Sequence, residues 1–112
     1  MQIWHNPRCS KSREALGLLE DKGVEIFRYL DETITKDEIK SLLKKLNIAP
    51  RELMRTKEEI YKELDLKNET DDEVLVEMMA KHPRLIERPI VIDGDYAFIG
   101  RPVERVVEYI KK

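Results

Sequence analysis

Apolar residues recur along this chain with two different periods, and the change of period marks its elements. Residues 2–4 and 24–30 are short, rich in β-forming residues, and predict strands. A helix is predicted between them over about residues 10–22, ending at Gly23, which suits a left-handed C-cap. The apolar stripe of this helix consists of Ala15, Leu16, Leu18 and Leu19. Because a single helix joins the two strands, the opening is predicted to be a parallel βαβ unit.

The middle of the chain is predicted to be a helical insertion over about residues 33–86. Thr35 and Glu38 form a capping-box pattern, and apolar residues follow them at helical spacing. Further helices are predicted at residues 50–55, at residues 58–64, and after an N-cap at Thr70. These stretches contain neither a low-complexity linker nor a repeat, so we interpret them as one insertion.

After the insertion the pattern returns to strands. Residues 90–92 and 96–99 flank Asp93-Gly94, and Asp-Gly is a typical two-residue hairpin turn. Pro102 is then expected in the first turn of a last helix. The complete order is βαβ, helices, then ββα. It predicts an α/β protein with a thioredoxin-like fold and a helical insertion between its two halves.

Length and charge narrow the class of protein. The chain has 112 residues, enough for one domain spanning residues 1–112 with a core that needs no disulfide. Its formal charge of −2 does not indicate the excess of positive charge that is typical of nucleic-acid-binding proteins. The sequence shows neither a leader pattern nor a membrane-spanning apolar run. We therefore expect a cytoplasmic protein that is a monomer and binds neither nucleic acid nor membranes. Two histidines and one cysteine provide no plausible metal cluster.

The single cysteine, Cys9, lies where the first predicted helix begins. Unpaired N–H groups and the positive end of the helix dipole favour a thiolate at this position. The neighbouring cations Arg8 and Lys11 could favour it as well. We interpret Cys9 as a nucleophile rather than as a packing residue, with a pKa below that of free cysteine.

Four segments carry the most specific pattern in the chain. They are His5-Asn6-Pro7-Arg8-Cys9, Glu52-Leu53-Met54-Arg55, Glu87-Arg88-Pro89-Ile90 and Gly100-Arg101-Pro102. In this order they resemble the signature segments of the glutaredoxin-coupled arsenate reductase family, and the resemblance covers nearly the whole chain. It is closest to the shorter chromosomal branch, which has Pro-Arg-Cys-Ser-Lys-Ser around the cysteine. Related Spx-type regulators carry a Cys-x-x-Cys switch, but here Ser12 takes the second position and excludes an internal disulfide.

The resemblance implies a nucleophile and three binding residues. Cys9 matches the residue that attacks arsenic(V). The residues that match the oxyanion-binding arginines are Arg55, Arg88 and Arg101. Arginine suits this role because its planar fork stays charged and binds two oxygens at once. The assignment of Arg55 rests mostly on the resemblance, since Arg51 is a nearby competitor.

The resemblance also implies supporting residues around the thiol. A histidine at the position of His5 lies close to the cysteine in the family, and an imidazolium there would stabilise the thiolate. A histidine that only caps the loop is the alternative. Ser10 and Ser12 could offer hydroxyl groups to the thiolate or to the helix start. A cis bond before Pro89 is implied by the thioredoxin-like fold, and it would turn Arg88 toward the cysteine.

The function implied by the resemblance is the reduction of arsenate to arsenite through an adduct on Cys9. No cofactor is expected to be bound; glutathione would serve as thiol co-substrate and glutaredoxin as partner. Two alternatives stay open. One is a glutathione-dependent thiol oxidoreductase with another oxyanion or disulfide as substrate. The other is a non-enzymatic Spx-like regulator that binds RNA polymerase.

Overall fold

The computed structural model describes residues 1–111, which divide into two compact units. The first unit comprises Met1–Glu32 and the segment that starts at Arg88, and the second is Thr33–Glu87. The helices are α1 (Ser10–Leu19), α2 (Lys36–Leu46), α3 (Pro50–Leu53), α4 (Glu59–Glu63), α5 (Asp72–Lys81) and α6 (Glu104–Ile110). The strands are β1 (Gln2–Trp4), β2 (Glu25–Phe27), β3 (Ile90–Asp93) and β4 (Tyr96–Ile99). The second unit therefore corresponds to the predicted insertion within one residue, while the single-domain organisation stays a prediction.

The first unit is built on a four-stranded mixed sheet in the order β2-β1-β3-β4. Strands β1 and β2 are parallel, whereas β3 is antiparallel to both of its neighbours. The core of this unit consists of Ile3, Ala15, Leu19, Val91, Phe98 and Val106. The predicted α/β class and the βαβ–ββα order of this unit are confirmed. Helix α1 continues into a 3₁₀ turn, Glu20–Lys22, and Gly23 ends it in the left-handed region as predicted (φ 69°).

The hairpin and the last helix differ in detail from the sequence prediction. Because Asp93 pairs with Tyr96, the two turn residues are Gly94 and Asp95 rather than Asp93 and Gly94. A positive φ of 62° at the first turn position, with glycine there, is the pattern of a type II′ turn. Helix α6 begins at Glu104, so Pro102 precedes the helix instead of lying in its first turn.

The second unit consists of helices, joined by one short bridge. The capping box of Thr35 and Glu38 at the start of α2 is confirmed. Helix α5, by contrast, is capped by the side chain of Asp71 and not by Thr70. Helix α3 ends earlier than predicted because Met54 becomes extended and forms an isolated antiparallel bridge with Ile86. Among the described helices, none is long and apolar enough to cross a membrane.

Candidate active site

Cys9 is the N-cap residue of α1 and closes the loop that leaves β1. Its backbone is extended (φ −98°, ψ 122°), and its N–H donates to the Asn6 carbonyl over 3.0 Å. The loop starts at His5, whose N–H donates to the Phe27 carbonyl over 2.8 Å and so continues the pairing of β1 with β2. Both ends of the loop are thus held by backbone hydrogen bonds, with the half-buried thiol at the helix start.

The surroundings of Cys9 favour its thiolate. Burial raises the pKa of the thiol, but opposing interactions outweigh it. The backbone N–H groups of Ser12 and Lys11 and the charge of Arg88, which also contributes a side-chain hydrogen bond, lower this pKa. The net effect is a pKa below the ordinary value of cysteine, in the predicted direction. A helix start and one arginine therefore favour the nucleophilic thiolate form of Cys9.

Arg88 interacts with the thiol, and no carboxylate among residues 1–111 forms an ion pair with it. Its Nε and Nη1 atoms are buried and have no hydrogen-bond partner among residues 1–111. The Arg88–Pro89 peptide bond is cis, as predicted, and Pro89 is buried. The N–H of Gly100 donates to the Pro89 carbonyl over 2.8 Å, and a side chain at Gly100 would collide with Val106. Buried donors of a charged group are costly without a partner, so this guanidinium suits an anion next to the thiol.

His5 and Ser12 form a buried pair behind the thiol. His5 Nδ1 lies 2.7 Å from Ser12 Oγ, and the N–H of Asn6 donates to the same oxygen over 3.0 Å. His5 is 4% exposed and Ser12 is fully buried. The Ser12 hydroxyl therefore joins the loop to the first turn of α1, which orients the Ser12 N–H that acts on Cys9.

Of the two interpretations of His5, the surroundings disfavour a cationic imidazolium. Burial lowers the pKa of His5, and the positive charges of Arg28 and Arg13 lower it further, against a hydrogen bond with Ser12 that raises it. His5 is therefore a neutral ring at neutral pH, and it does not contribute to the lowered pKa of Cys9. The effect of Arg28 on His5 could not be predicted from the sequence. The parallel register pairs Trp4 with Phe27, and only this pairing brings the next residues, His5 and Arg28, side by side.

Ser10 and Arg101, two of the candidate site residues, lie at exposed positions. Ser10 is the first residue of α1 and is exposed. Arg101 is also exposed, and its bond to Pro102 is cis. Among the described residues, the pKa of Cys9 responds to Arg88 and not to Arg101. The described interactions thus link Arg88 to the thiol, and the binding role of Arg101 stays a prediction.

In the second unit, Arg51 and Arg55 have separate roles. Arg51 donates to the Tyr61 hydroxyl over 2.6 Å, to the Leu66 carbonyl over 2.9 Å, and to the Glu69 carbonyl. Its guanidinium is therefore used to hold this unit together. Arg55 is half-buried, and its Nη1 lies 3.2 Å from a carboxylate oxygen of Glu58. Among the described residues, the Arg55 guanidinium has one side-chain partner, Glu58, whereas that of Arg51 binds three oxygens.

The comparisons with known proteins agree with this arrangement. The ArsC family model matches residues 4–109, nearly the whole chain. The chain belongs to the ArsC family. It is 50% identical to an arsenate reductase of Haemophilus influenzae, with 96% of this chain and 97% of that protein covered. An arsenate reductase of Neisseria meningitidis is 46% identical, with 95% and 94% covered.

The fold of this ArsC-family chain is also that of solved relatives. The structure of an arsenate reductase from Vibrio cholerae superimposes with a TM-score of 0.89 at 46% identity, and the match covers 96% of this chain and 97% of that one. The thioredoxin-like architecture of the ArsC family is therefore present here with its helical insertion.

Proposed function

We propose that this protein is an arsenate reductase that uses glutathione and glutaredoxin as its source of electrons. The observation that carries the proposal is the pairing of a thiolate-favouring Cys9 with the buried, unpartnered nitrogens of Arg88. A nucleophilic sulfur next to a guanidinium with two free donor nitrogens suits an electrophile that carries negatively charged oxygens. Membership of the ArsC family and the arsenate reductases among its relatives support arsenate as that electrophile.

The first step is attack of the Cys9 thiolate on arsenic(V). A sulfur–arsenic bond forms, and one arsenate oxygen takes up protons and leaves as water. Arsenate is negatively charged at neutral pH, so attack by a thiolate brings two anions together. Arg88 lowers that repulsion by donating charged hydrogen bonds to the oxyanion. We propose the same role for Arg101 and Arg55, supported by their match to the family's arginines.

The second step needs a thiol from outside the chain. Reduction of arsenic(V) to arsenic(III) takes two electrons, and the sequence has one cysteine. A glutathione thiolate attacks the sulfur of Cys9 in the adduct. A sulfur–sulfur bond forms and the sulfur–arsenic bond breaks. The electron pair of the broken bond stays on arsenic, which leaves as arsenite.

The third step restores the enzyme. Glutaredoxin removes glutathione from the Cys9 mixed disulfide by thiol–disulfide exchange and leaves the Cys9 thiolate. These three steps require reduced glutathione, so we propose that the reaction takes place in the cytoplasm, where thiols are kept reduced. Ser12 occupies the position at which a second cysteine would permit an internal disulfide.

The test is an arsenate-reduction assay with glutathione and glutaredoxin, run beside one with thioredoxin and no small thiol. We expect turnover only in the first assay. Intact-mass analysis should show a single glutathione adduct on Cys9, removable by glutaredoxin. Sustained turnover with thioredoxin alone would refute the scheme. Turnover of a different oxyanion or a disulfide, but not of arsenate, would support the alternative oxidoreductase.

A further inference from the structure

Two exposed cations next to Cys9 have no side-chain partner among residues 1–111. Arg8 precedes the cysteine and Lys11 follows it by two residues, and both are exposed. Within residues 1–111, neither side chain forms an ion pair or a hydrogen bond; only the backbone N–H of Arg8 is engaged, by the Asn6 side chain. Their charges do not contribute to the lowered pKa of Cys9 either. The role suggested for them by the sequence is therefore taken by Arg88.

The loop that carries these residues is locally positive. Residues 5–13 contain three arginines or lysines and no carboxylate, although the chain as a whole has a formal charge of −2. The third cation, Arg13, is held at the loop because its Nη1 donates to the Pro7 carbonyl over 3.1 Å. The positive charges of Arg13 and Arg28, together with burial, lower the pKa of His5. An approaching anion therefore meets uncompensated positive charge around the thiol.

We propose that Arg8 and Lys11 recognise the two carboxylates of glutathione while its sulfur approaches Cys9. Glutathione carries one carboxylate at each end of the molecule, with its thiol between them. The two cations flank Cys9 in the chain, and their charges are opposite in sign to the two carboxylates of the ligand. This inference rests on the proposed function only in taking glutathione as the external thiol.

The reaction that isolates this recognition needs no arsenate. The Cys9 thiolate attacks one sulfur of glutathione disulfide. A new Cys9–glutathione disulfide forms, the original sulfur–sulfur bond breaks, and one glutathione leaves as its thiolate. Bis(2-hydroxyethyl) disulfide undergoes the same exchange but carries no carboxylate. Comparing the two reagents therefore separates recognition of charge from reactivity of the thiol.

The experiment measures the rate of Cys9 modification by each disulfide, using intact-mass analysis of the wild-type chain and four variants. The test variants are Arg8→Gln and Lys11→Gln, singly and combined. The control, Lys22→Gln, removes an exposed lysine just beyond the other end of α1. With glutathione disulfide we expect the double variant to react about three- to tenfold more slowly at low salt, and high salt to abolish the difference. The neutral disulfide should react equally with all proteins.

Three outcomes would overturn the proposal. An unchanged rate with glutathione disulfide would show that the cations do not contact it. An equal decrease with both disulfides would place their effect on the thiolate itself. An equal decrease in Lys22→Gln would show a response to overall charge. Charge-selective modification without arsenate turnover would leave this inference standing while the proposed arsenate reductase function fails.

Discussion

Within Thr33–Glu87 carboxylates or carbonyls bind six lysine or arginine side chains, whereas near Cys9 no described cation is paired with a carboxylate. The ion pairs join Lys36 and Lys40 to Glu73, Arg55 and Arg84 to Glu58, and Lys81 to Glu77. All of them lie in the helical unit. The described residues of the sheet unit contain no pair between a lysine or arginine and a carboxylate, and Arg88 keeps two buried nitrogens without a partner.

This difference separates charge that supports structure from charge that is available to a ligand. Both units contain lysine, arginine, aspartate and glutamate residues, so the presence of charged residue types does not distinguish them. In the helical unit the cations meet carboxylates across helices or a turn away, or backbone carbonyls in the case of Arg51. Near the thiol of the sheet unit the described cations have no carboxylate partner, and two buried nitrogens of Arg88 are left without a hydrogen bond. Variants in the two units should therefore change different properties.

The largest effect expected is the loss of turnover in Cys9→Ser. A hydroxyl in place of the thiolate cannot form the arsenic adduct, so the coupled assay should show no activity above background. The thermal midpoint should stay near the wild-type value because serine suits an N-cap position. Ser10→Ala serves as the control and should retain most activity. Residual turnover in Cys9→Ser would contradict the catalytic role, and RNA-polymerase binding that survives it would favour the regulator.

In the helical unit, Arg51→Met should reduce stability and not chemistry. The substitution leaves the Tyr61 hydroxyl and the carbonyls of Leu66 and Glu69 without their charged donor. We expect the free energy of unfolding in urea to fall by about 2–4 kcal/mol. Arg84→Met is the control, since its side chain is 78% exposed, and should change stability by less than about 0.5 kcal/mol. An equal decrease in the free energy of unfolding in both variants would contradict the structural role of Arg51.

In the sheet unit, Arg88→Lys should show the opposite profile. Lysine keeps the charge but loses the paired donors of the guanidinium. We expect kcat/KM for arsenate to fall, corresponding to a loss of about 1–3 kcal/mol of transition-state stabilisation. The free energy of unfolding should be nearly unchanged. Arg101→Lys should have a smaller effect because Arg101 is exposed. Crystals soaked with arsenate or sulfate should show the anion at Arg88 and Cys9. An anion found only elsewhere would contradict the claim that the charge of Arg88 is available to a ligand.

A titration of Cys9 sharpens the same point without substrate. The thiolate, followed by its ultraviolet absorbance, should form below the ordinary pKa of cysteine. Arg88→Gln removes a charge and a hydrogen bond that stabilise the thiolate and should raise the pKa of Cys9. Arg101→Gln should leave that pKa unchanged. If both variants raise it equally, the thiol responds to the general charge of the unit and not to Arg88.

The smallest effect concerns the pH dependence of stability. Since the pKa of His5 is lowered below about 6.5, the folded protein binds fewer protons there than the unfolded chain. The free energy of unfolding should therefore decrease as the pH falls below about 6.5 and continue to fall through the folded pKa of His5. His5→Gln should lack this part of the decrease, and His82→Gln should retain it. An identical pH profile in wild type and His5→Gln would contradict a neutral, buried His5.

The sequence by itself determined the elements and the nucleophile. Periodicity and turn residues predicted the βαβ opening, the helical insertion and the hairpin, because these signals are local. The position of Cys9 at a helix start needed only the unpaired N–H groups of that helix. The precise ends of elements were less predictable. Helix α3 ends early because Met54 pairs with Ile86, a partner more than thirty positions away in the chain.

Tertiary structure decided which charges act at the site. The parallel register of β1 and β2 brings Arg28 beside His5, and burial then keeps that histidine neutral instead of cationic. Arg51 and Arg55 look alike in the sequence, but only the fold commits Arg51 to the hydroxyl of Tyr61 and to two carbonyls. Local patterns predict where a side chain lies along an element. Its protonation and its partners depend on burial and on residues distant in sequence, which only the folded chain brings together.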